Sequence, residues 1–456
     1  MSARASNPSD SSVTLLHTWL AETTFAELPP EVQRMATRCL LDLSGTAAAG
    51  ATTQLSRIIR DHAVEQFGAG PSAPSARMLF DGRRASPTGA ALAGGMTIDS
   101  VDSHDGHVLT KGHAGAAVLP GLLSLVDAAE QSITGSELLT LLVLGYEVAI
   151  RAGIALHATV PDYHTSGAWN ALGVVAVAGR LWGLDEQRLR DALGIAEYHG
   201  PRSQMMRCID HPTMLKDGSG WGAMTGVSSA TLAANGFTGA PALTVEEDAV
   251  REIWDDLGEH WRILELYFKP YPVCRWGQPA IEAALEVRRQ HGFVADDVAA
   301  IDVFTFHEAT RLDQHEPATT EEAQYSLPFP VAAALVRGGL VPGDIAGDAL
   351  TDEGVLAVSR KIRLVDDPLL SARFPAERFA RIRVELRNGK VVESRTLPAR
   401  GDAETPLSEE EITTKFHALA DGALGSRAGL IEELVSATPE AGETTSILDA
   451  LLSPLA

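Results

Sequence analysis

The sequence predicts a mostly α-helical protein that carries an inserted α+β region. Helical periodicity and runs of small residues dominate up to about residue 268, and a helix signal returns at Ser408. Between about residues 270 and 400 the pattern changes to strand-type alternation with a hairpin signal. The simplest layout is an all-helical domain built from both chain ends, residues 1–268 and 403–456, with an α+β domain inserted at residues 269–402.

Helix boundaries in the first region are marked by residues that favour helix ends. The pair Pro29-Pro30 opens a helix with an apolar face. Thr134 and Glu137 have the spacing of a capping box, and a long apolar helix follows them. The other helices predicted here cover residues 61–67, 166–182, 186–198, with Asp185 as its cap, and 222–234.

The region after Lys269 has a different sequence pattern. Ile301, Val303 and Thr305 alternate with residues that face the other way, which is typical of a strand. Asn388-Gly389 separates two further strand-like runs and predicts a tight hairpin. Helices are predicted over residues 278–289 and 330–336, and the capping-box spacing of Ser408 and Glu411 begins the return to helix.

Composition excludes several classes of partner. The chain has 456 residues and a formal net charge of −23, which repels phosphate and argues against nucleic acid or an anionic membrane surface. Its three cysteines have no paired spacing, so we expect a reducing compartment with neither disulfides nor a zinc knuckle. The polar N-terminus lacks an apolar signal-peptide core and is interpreted as a loose leader of a cytoplasmic protein.

One apolar segment, residues 138–158, is long enough to consider as a membrane span. Glu147 and Arg151 lie near its middle, where charges are costly in lipid. We therefore expect a buried helix of a soluble protein and no membrane partner.

A polar stretch, Asp99 to His113, lies between two segments that are expected to be buried. It contains Asp102, His104, His107 and His113. Carboxylates and imidazoles this close together suit general acid–base catalysis, so the stretch is the first site candidate. The same groups suit a divalent ion, but their spacing matches no metal signature and we expect no metal. A solvated loop is the third interpretation.

The second candidate is the start of the helix predicted at Ser166. Tyr163, His164 and Ser166 offer side-chain donors beside free backbone N–H groups, a combination that binds anions such as carboxylates. The alternative is a simple N-cap with His164 on the surface.

Two later segments add cations. Lys216 precedes the glycine-rich run 217–222, whose backbone can approach a ligand closely; an ordinary flexible loop is the alternative. At the proposed domain junction two prolines stiffen a segment that presents Lys269, Tyr271 and Arg275, all suited to carboxylates; a rigid linker is the alternative. Together the four segments describe a cationic pocket in an acidic protein, which favours a small di- or tricarboxylate as the ligand.

The order of these motifs resembles the MmgE/PrpD family, which includes 2-methylcitrate dehydratase, cis-aconitate decarboxylase and iminodisuccinate epimerase. Residues 269–275 match the family block K-P-Y-P-x-C-R intact, and residues 145–148 match its G-Y-E-V. Further similar blocks are residues 101–105 with 112–115, residues 162–167, Lys216 and residues 236–240. The resemblance covers nearly the whole chain.

The resemblance implies a helical domain from both termini with an α+β domain, a homodimer, no cofactor and a pocket at the domain junction. Family roles in catalysis or binding fall on Asp102, His113, His164, Lys216 and Lys269. Three departures mark a variant pattern: Ser103-His104 replaces part of an acidic run, residues 217–220 replace a segment with a family histidine, and Gln278 stands where another histidine is common.

The leading hypothesis is a cofactor-independent lyase that dehydrates or decarboxylates a small polycarboxylate. His113 and Asp102 are the expected acid–base pair, with His164 assisting, and Lys216 is an alternative base. Lys216, Lys269 and Arg275 are expected to stabilise a carboxylate as it gains enolate character. Tyr271, Ser166, His104, His107 and Tyr163 complete the predicted binding residues. An epimerase, with Lys216 opposite Tyr163 or His113, and a non-catalytic carboxylate-binding protein are the alternatives.

Overall fold

The structure is a computed structural model that describes residues 11–129 and 132–455. Its helices confirm the mostly α-helical class, and their starts lie within a few residues of most predicted ones. The α-helices are α1 Ser12–Glu22, α2 Pro30–Gly50, α3 Gln54–Gln66, α4 Pro87–Asp99, α5 Gly115–Ala128, α6 Gly135–Thr159, α7 Gly167–Trp182, α8 Glu186–His199, α9 Met206–Asp210, α10 Ser219–Ala234, α11 Leu243–Glu246, α12 Arg251–Trp254, α13 Gln278–His291, α14 Thr320–Gln324, α15 Pro328–Arg337, α16 Glu353–Ser359, α17 Pro368–Ser371, α18 Glu409–Leu424, α19 Arg427–Ala437 and α20 Thr445–Leu452.

The strands form one larger sheet and two short pairs. They are β1 Ala76–Arg77, β2 Arg84–Ala85, β3 Gly106–His107, β4 Leu266–Tyr267, β5 Val298–Thr305, β6 Ile362–Asp366, β7 Phe379–Leu386, β8 Val391–Glu393 and β9 Leu397–Pro398. The sheet has the order β6-β5-β7-β8, with β9 also paired to β7, and only β5 and β6 run parallel. The predicted hairpin joins β7 to β8, and Gly389 has the positive φ of 82° that such a turn needs.

Two large hydrophobic clusters lie in different parts of the chain. The first takes side chains from residues 13–268 and again from residues 407–452, so both chain ends build one helical body. There α18 packs against α2, where a Cβ on Gly45 would lie only 3.0 Å from the Phe416 ring. The second cluster consists mainly of residues 273–392 and covers the larger sheet. The predicted boundaries near residues 268 and 402 stay predictions.

The predicted caps differ in how completely they form. Ser408 and Glu411 make the full reciprocal capping box at the start of α18. At the start of α6 the Thr134 side chain accepts from Glu137 N at 3.1 Å, but the Glu137 carboxylate pairs with Arg180 instead of returning to the cap. A tertiary ion pair has replaced half of the local motif, which sequence spacing alone does not reveal.

The apolar helix α6 is the one described helix that is long and apolar enough to cross a membrane, and 94% of its most apolar window is buried inside the protein. The two charged residues near its middle are paired within the fold. Arg151 Nε donates to Glu147 Oε2 at 3.4 Å, and Glu147 Oε1 accepts from Ile263 N at 2.8 Å. The polar leader predicted at the N-terminus lies almost entirely outside the described residues.

Candidate functional site

The polar stretch connects α4 to α5 and is tied to the Lys269 segment by a short pair of strands. Gly106 and His107 in β3 pair antiparallel with Tyr267 and Leu266 in β4. A side chain at position 106 would overlap the Tyr267 hydroxyl and would lie 2.8 Å from His113 Nδ1, so glycine allows this close approach. Residues that are far apart in sequence thereby reach one cavity.

The empty space in that cavity, together with the solvent at its open side, has a volume of about 500 Å³. Five of the predicted site residues line it: Asp102, His107, His113, Lys269 and Arg275. The positive side chains of Lys111 and Arg378 also line it, and so does the carboxyl group of Asp217. The cavity therefore combines a histidine with cations supplied by both large parts of the fold.

His113 is held in one tautomer by a backbone contact. Its Nδ1 lies 2.6 Å from the carbonyl oxygen of Asp105, which can only accept, so Nδ1 carries the proton. Its backbone N donates to Ser166 Oγ at 2.9 Å. Burial, together with the nearby His104 and Lys269, holds the pKa of His113 well below its usual value. The neutral ring thus has its unprotonated Nε2 free, with no protein partner within residues 11–129 and 132–455.

Asp102 forms an ion pair with Lys269 at the wall of the cavity. Lys269 is fully buried, so its ammonium depends on this carboxylate for a counter-charge. Burial would raise the pKa of Asp102, but Lys269, Lys216 and the two neighbouring histidines outweigh it and hold that pKa well below the usual range. Asp102 is an anion under all ordinary conditions.

Lys216 lies beside the cavity without lining it. Its backbone has the positive φ of 49°, unusual for a residue with a side chain, just before α10. The ammonium donates to Gln324 Oε1, an oxygen that also accepts from Asp102 N at 3.1 Å, and it lies 4.8 Å from the centre of the Tyr325 ring. The strained turn therefore places Lys216 behind Asp102.

His104 is completely buried behind the cavity wall. Its Nε2 donates to Asp99 Oδ1 at 3.3 Å, and its ring centre lies 4.1 Å from that of His113. Ligand atoms of Asp102, His104 and His113 lie within 4.8 Å of one another, which is close enough to consider a metal site. The set suits a divalent cation poorly, because the Lys269 ammonium already occupies the only carboxylate and would repel the ion.

The Ser166 hydroxyl connects the backbone of His113 to the carboxyl group of Asp217. The Ser166 hydroxyl donates to Asp217 Oδ2, and the backbone N of Asp217 donates to Asp99 Oδ2 at 3.2 Å. Burial and the Asp99 carboxylate raise the pKa of Asp217 to about 7, although the Ser166 bond acts against them. A carboxyl group that lines the cavity thus exchanges its proton near neutral pH.

Four predicted residues are held by other contacts. His107 lines the cavity, but its Nε2 is 2.8 Å from Glu265 Oε2. The backbone N of His164 donates to His157 Nε2 at 3.1 Å, and its ring does not line the cavity. Tyr163 is exposed behind Lys111, whose ammonium lies 4.8 Å from its ring centre. Tyr271 turns away, and its hydroxyl donates to Glu282 Oε1 at 3.0 Å.

Several lining residues were not anticipated from sequence. Arg378 and Tyr325 belong to the α+β region and stand in no motif recognised there. Asp217 belongs to the glycine-rich run predicted to approach a ligand and to a departure from the family pattern, but it is not among the predicted site residues; it lines the cavity. A signal for Asp217 was present in its position directly after Lys216; Arg378 had none, because only the tertiary fold brings it to the site.

The arrangement can bind a polyanion and move a proton beside it. Lys269, Arg275 and Arg378 offer fixed positive charge, and His113, whose Nδ1 is engaged by Asp105, lines the same space. Fixed cations in a partly enclosed cavity stabilise negative charge that develops on a bound carboxylate.

Comparison with known proteins agrees with the sequence resemblance. Among the relatives are the cis-aconitate decarboxylase-like protein oryM of Aspergillus oryzae, 22% identical with 99% of both chains covered, and the cis-aconitate decarboxylase of Aspergillus terreus, 23% identical with 96% of this chain and 95% of that protein covered. The cis-aconitate decarboxylase of Mus musculus is 25% identical, with 85% of this chain and 82% of that protein covered. Sequence models of the MmgE/PrpD N-terminal and C-terminal domains match residues 14–253 and 271–438. The chain belongs to the MmgE/PrpD family.

Proposed function

We propose that the protein is a cofactor-independent lyase that decarboxylates a small tricarboxylate of the cis-aconitate type. The relatives support an enzyme of the lyase class, and the names of three of them point to this substrate type. The observation that carries the proposal is the placement of His113. Its Nδ1 is fixed by Asp105, and its Nε2 is free beside the cations of the cavity.

The reaction requires one proton from the site. In cis-aconitate the bond between the CH₂ carbon and its carboxylate breaks, and CO₂ leaves. The electrons of the broken bond form a new terminal double bond. The π electrons of the original double bond bind a proton at the CH carbon. The two remaining carboxylates keep their negative charge throughout, so fixed cations are needed to hold them in place.

His113 is the residue to which we assign that proton. In the free protein its ring is neutral, because burial and nearby positive charge disfavour the imidazolium. A bound tricarboxylate brings negative charge next to the ring and shifts the balance toward the protonated form. Substrate binding thereby charges the group that must deliver the proton, and Nε2 is the nitrogen positioned to do so.

Asp102 takes a different role from the proton carrier expected from the sequence. Its carboxylate is paired with Lys269 and stays ionised, so it exchanges no proton near neutral pH. We assign to Asp102 the positioning of Lys269. With Lys216 and Gln324 behind it, the carboxylate fixes a fully buried ammonium at the cavity wall, ready to contact a substrate carboxylate.

A second activity is favoured by the same histidine. A neutral ring with a free Nε2 is a general base, suited to removing a proton α to a carboxylate. That step begins the dehydration of a 2-methylcitrate-like hydroxy acid, or the epimerisation of a dicarboxylate such as iminodisuccinate. The depressed pKa of His113 is the observation in its favour.

Product analysis in D₂O separates these activities. We expect the purified protein to convert cis-aconitate into CO₂ and an alkene. Proton NMR should show one deuterium in the saturated CH₂ group of that alkene, which was the CH carbon of the substrate. An alkene formed from 2-methylcitrate without CO₂ would favour dehydration instead. Deuterium on the unchanged skeleton of iminodisuccinate would favour epimerisation, and thermal stabilisation without turnover would favour a binding protein.

A matched pair of variants ties the activity to the site. Lys269→Gln removes the buried ammonium, and a loss of about 10²-fold or more in kcat/KM is expected from removing a group that stabilises developing charge. Lys390→Gln changes an exposed lysine of the β7–β8 hairpin and should leave the activity unchanged. Equal activity of the two variants would contradict the proposal that this cavity is the active site.

A further inference from the structure

Arg378 brings a positive charge into the cavity from an unexpected part of the fold. It directly precedes β7 in the α+β region, more than a hundred residues beyond the Lys269 segment. Only 8% of the residue is exposed, and it lines the cavity together with Arg275 and Lys111. Its guanidinium is therefore both withdrawn from bulk water and open to a ligand.

Among the described residues, no carboxylate forms an ion pair with the guanidinium of Arg378. Asp402 lies near enough to act on its charge but pairs with Arg275, and the centre of the Phe374 ring lies 5.6 Å from its central carbon. Within residues 11–129 and 132–455, no ion pair or hydrogen bond satisfies it, and its buried Nε has no partner. A buried charge without a partner costs several kcal/mol, so folded proteins rarely keep one without a use. Because its group lies at the cavity, an anion entering that space can supply the missing partner.

The neighbouring arginines show that this lack of partners is specific to Arg378. Arg373 Nε donates to Glu377 at 2.6 Å, and Arg381 donates to Asp367 at 3.3 Å. Both of these residues belong to the same stretch of chain but do not line the cavity. Within this stretch, the two arginines away from the cavity each have a carboxylate partner, and Arg378 at the cavity does not.

The two other cations near Arg378 are not fully neutralised by protein groups. Arg275 is partly neutralised by Asp402, and its Nη1 also donates to the Arg400 carbonyl at 3.1 Å. Among the residues that the structure describes, Lys111 donates a hydrogen bond only to the Val108 carbonyl, at 2.9 Å, and that oxygen carries no full charge. Burial and then Arg378 lower the pKa of Lys111 to about 8, as expected where positive charges crowd together.

We infer that Arg378 binds one of the carboxylates that the substrate keeps, and that it sets the preference for a third carboxylate. This inference rests on the proposed function and adds to it a residue that orients the substrate. A guanidinium can bind a carboxylate through two parallel N–H bonds, which fixes orientation as well as charge. Arg275 and Lys111 add positive charge around the same carboxylate.

Calorimetric binding of tricarballylate, a saturated tricarboxylate that cannot react, tests the inference without turnover. We expect Arg378→Gln to raise Kd by about tenfold to a hundredfold, the range for losing a hydrogen bond to a charged group. Arg373→Gln, which changes an exposed and paired arginine of the same stretch, should bind like the wild type. Arg378→Lys should lie between them, because it keeps the charge but not the paired N–H bonds.

The outcomes separate the two proposals. If the wild type does not bind tricarballylate, the proposed tricarboxylate function is wrong. If the wild type binds it and Arg378→Gln binds equally well, the role of Arg378 is wrong while the function stands. Added guanidinium chloride should restore tricarballylate binding to Arg378→Ala and leave the wild type unchanged; a folded Arg378→Ala variant that binds weakly and is not rescued would assign Arg378 a purely structural role.

Discussion

His113 donates its Nδ1 proton to the backbone oxygen of Asp105 over 2.6 Å, and this contact decides which ring nitrogen is free for chemistry. Asp105 is itself fixed, because Tyr146 donates its hydroxyl proton to the Asp105 carboxyl group. The orientation of His113 thus depends on α6, a helix that belongs to the core rather than to the cavity. A deeply buried framework supports the His113 ring at the cavity.

The tautomer of His113 can be measured directly. Nitrogen-15 NMR of protein labelled at histidine should show His113 with a protonated Nδ1 and an unprotonated Nε2 at pH 7, since the backbone carbonyl can only accept. The signals that disappear in His113→Gln assign the residue. Protonation at Nε2 in the free protein would contradict the geometry from which its role is argued.

Asp102→Asn should separate stability from binding at Lys269. Loss of the carboxylate leaves a fully buried ammonium unpaired, so the free energy of unfolding should fall by about 3–5 kcal/mol. Tricarballylate can replace the missing counter-charge, and the rise in Tm that it causes should therefore be larger in this variant than in the wild type. Asp162→Asn, on an exposed loop, is the control. An unchanged rise in Tm would show that Lys269 does not meet the ligand.

Asp217 predicts a pH dependence of stability with a definite sign. Its pKa is raised in the folded protein to about 7, from 3.8, so between these values the native state holds a proton that the unfolded state has released. The free energy of unfolding should accordingly decrease as pH rises through this window, by at most about 1.4 kcal/mol per pH unit for this group.

Denaturant unfolding of Asp217→Asn across pH 4 to about pH 7 checks this sign. The decrease with pH should become shallower in the variant, because Asn cannot release a proton. Asp105, whose pKa burial also raises to about 7, keeps its own contribution. Asp348→Asn changes an exposed carboxyl group and should retain the wild-type profile. Identical slopes in wild type and Asp217→Asn would overturn the argument.

Lys415 shows how the C-terminal helices reach the site. Its ammonium donates at 2.6 Å both to Asp42 in α2 and to the carbonyl of Ser103 in the polar stretch. Lys415→Met should destabilise the protein by about 3–5 kcal/mol, because Asp42 is left buried and unpaired. The double variant Lys415→Met with Asp42→Leu should recover much of that loss. Chemical denaturation measures both, with Lys390→Met as the exposed control; a double variant no more stable than Lys415→Met would contradict the pairing.

The sequence alone was sufficient for the fold class, and it singled out two segments that line the candidate cavity. Periodicity and cap residues located most of the longer helices, since these signals act between neighbours in the chain. Residues 269–275 and the Asp99 to His113 stretch both reach the cavity, as their concentration of polar and rigid residues suggested.

The direction of individual side chains was not predictable in the same way. Tyr271 stands two residues from Lys269 in one motif, yet it points to Glu282 while Lys269 points to Asp102. Arg378 reaches the cavity only because the α+β region packs against the helical body. Such contacts depend on tertiary packing, which no spacing of letters encodes.

Turnover of cis-aconitate by His113→Gln, compared with wild type and with His291→Gln, tests the central claim most directly. His291 is an exposed residue at the end of α13, so its variant should match the wild type. If His113 delivers the proton, its variant should lose about 10²–10⁴-fold in kcat, the usual contribution of a general acid. It should still bind tricarballylate, because the cations remain. Decarboxylation at the wild-type rate by folded His113→Gln would contradict the account.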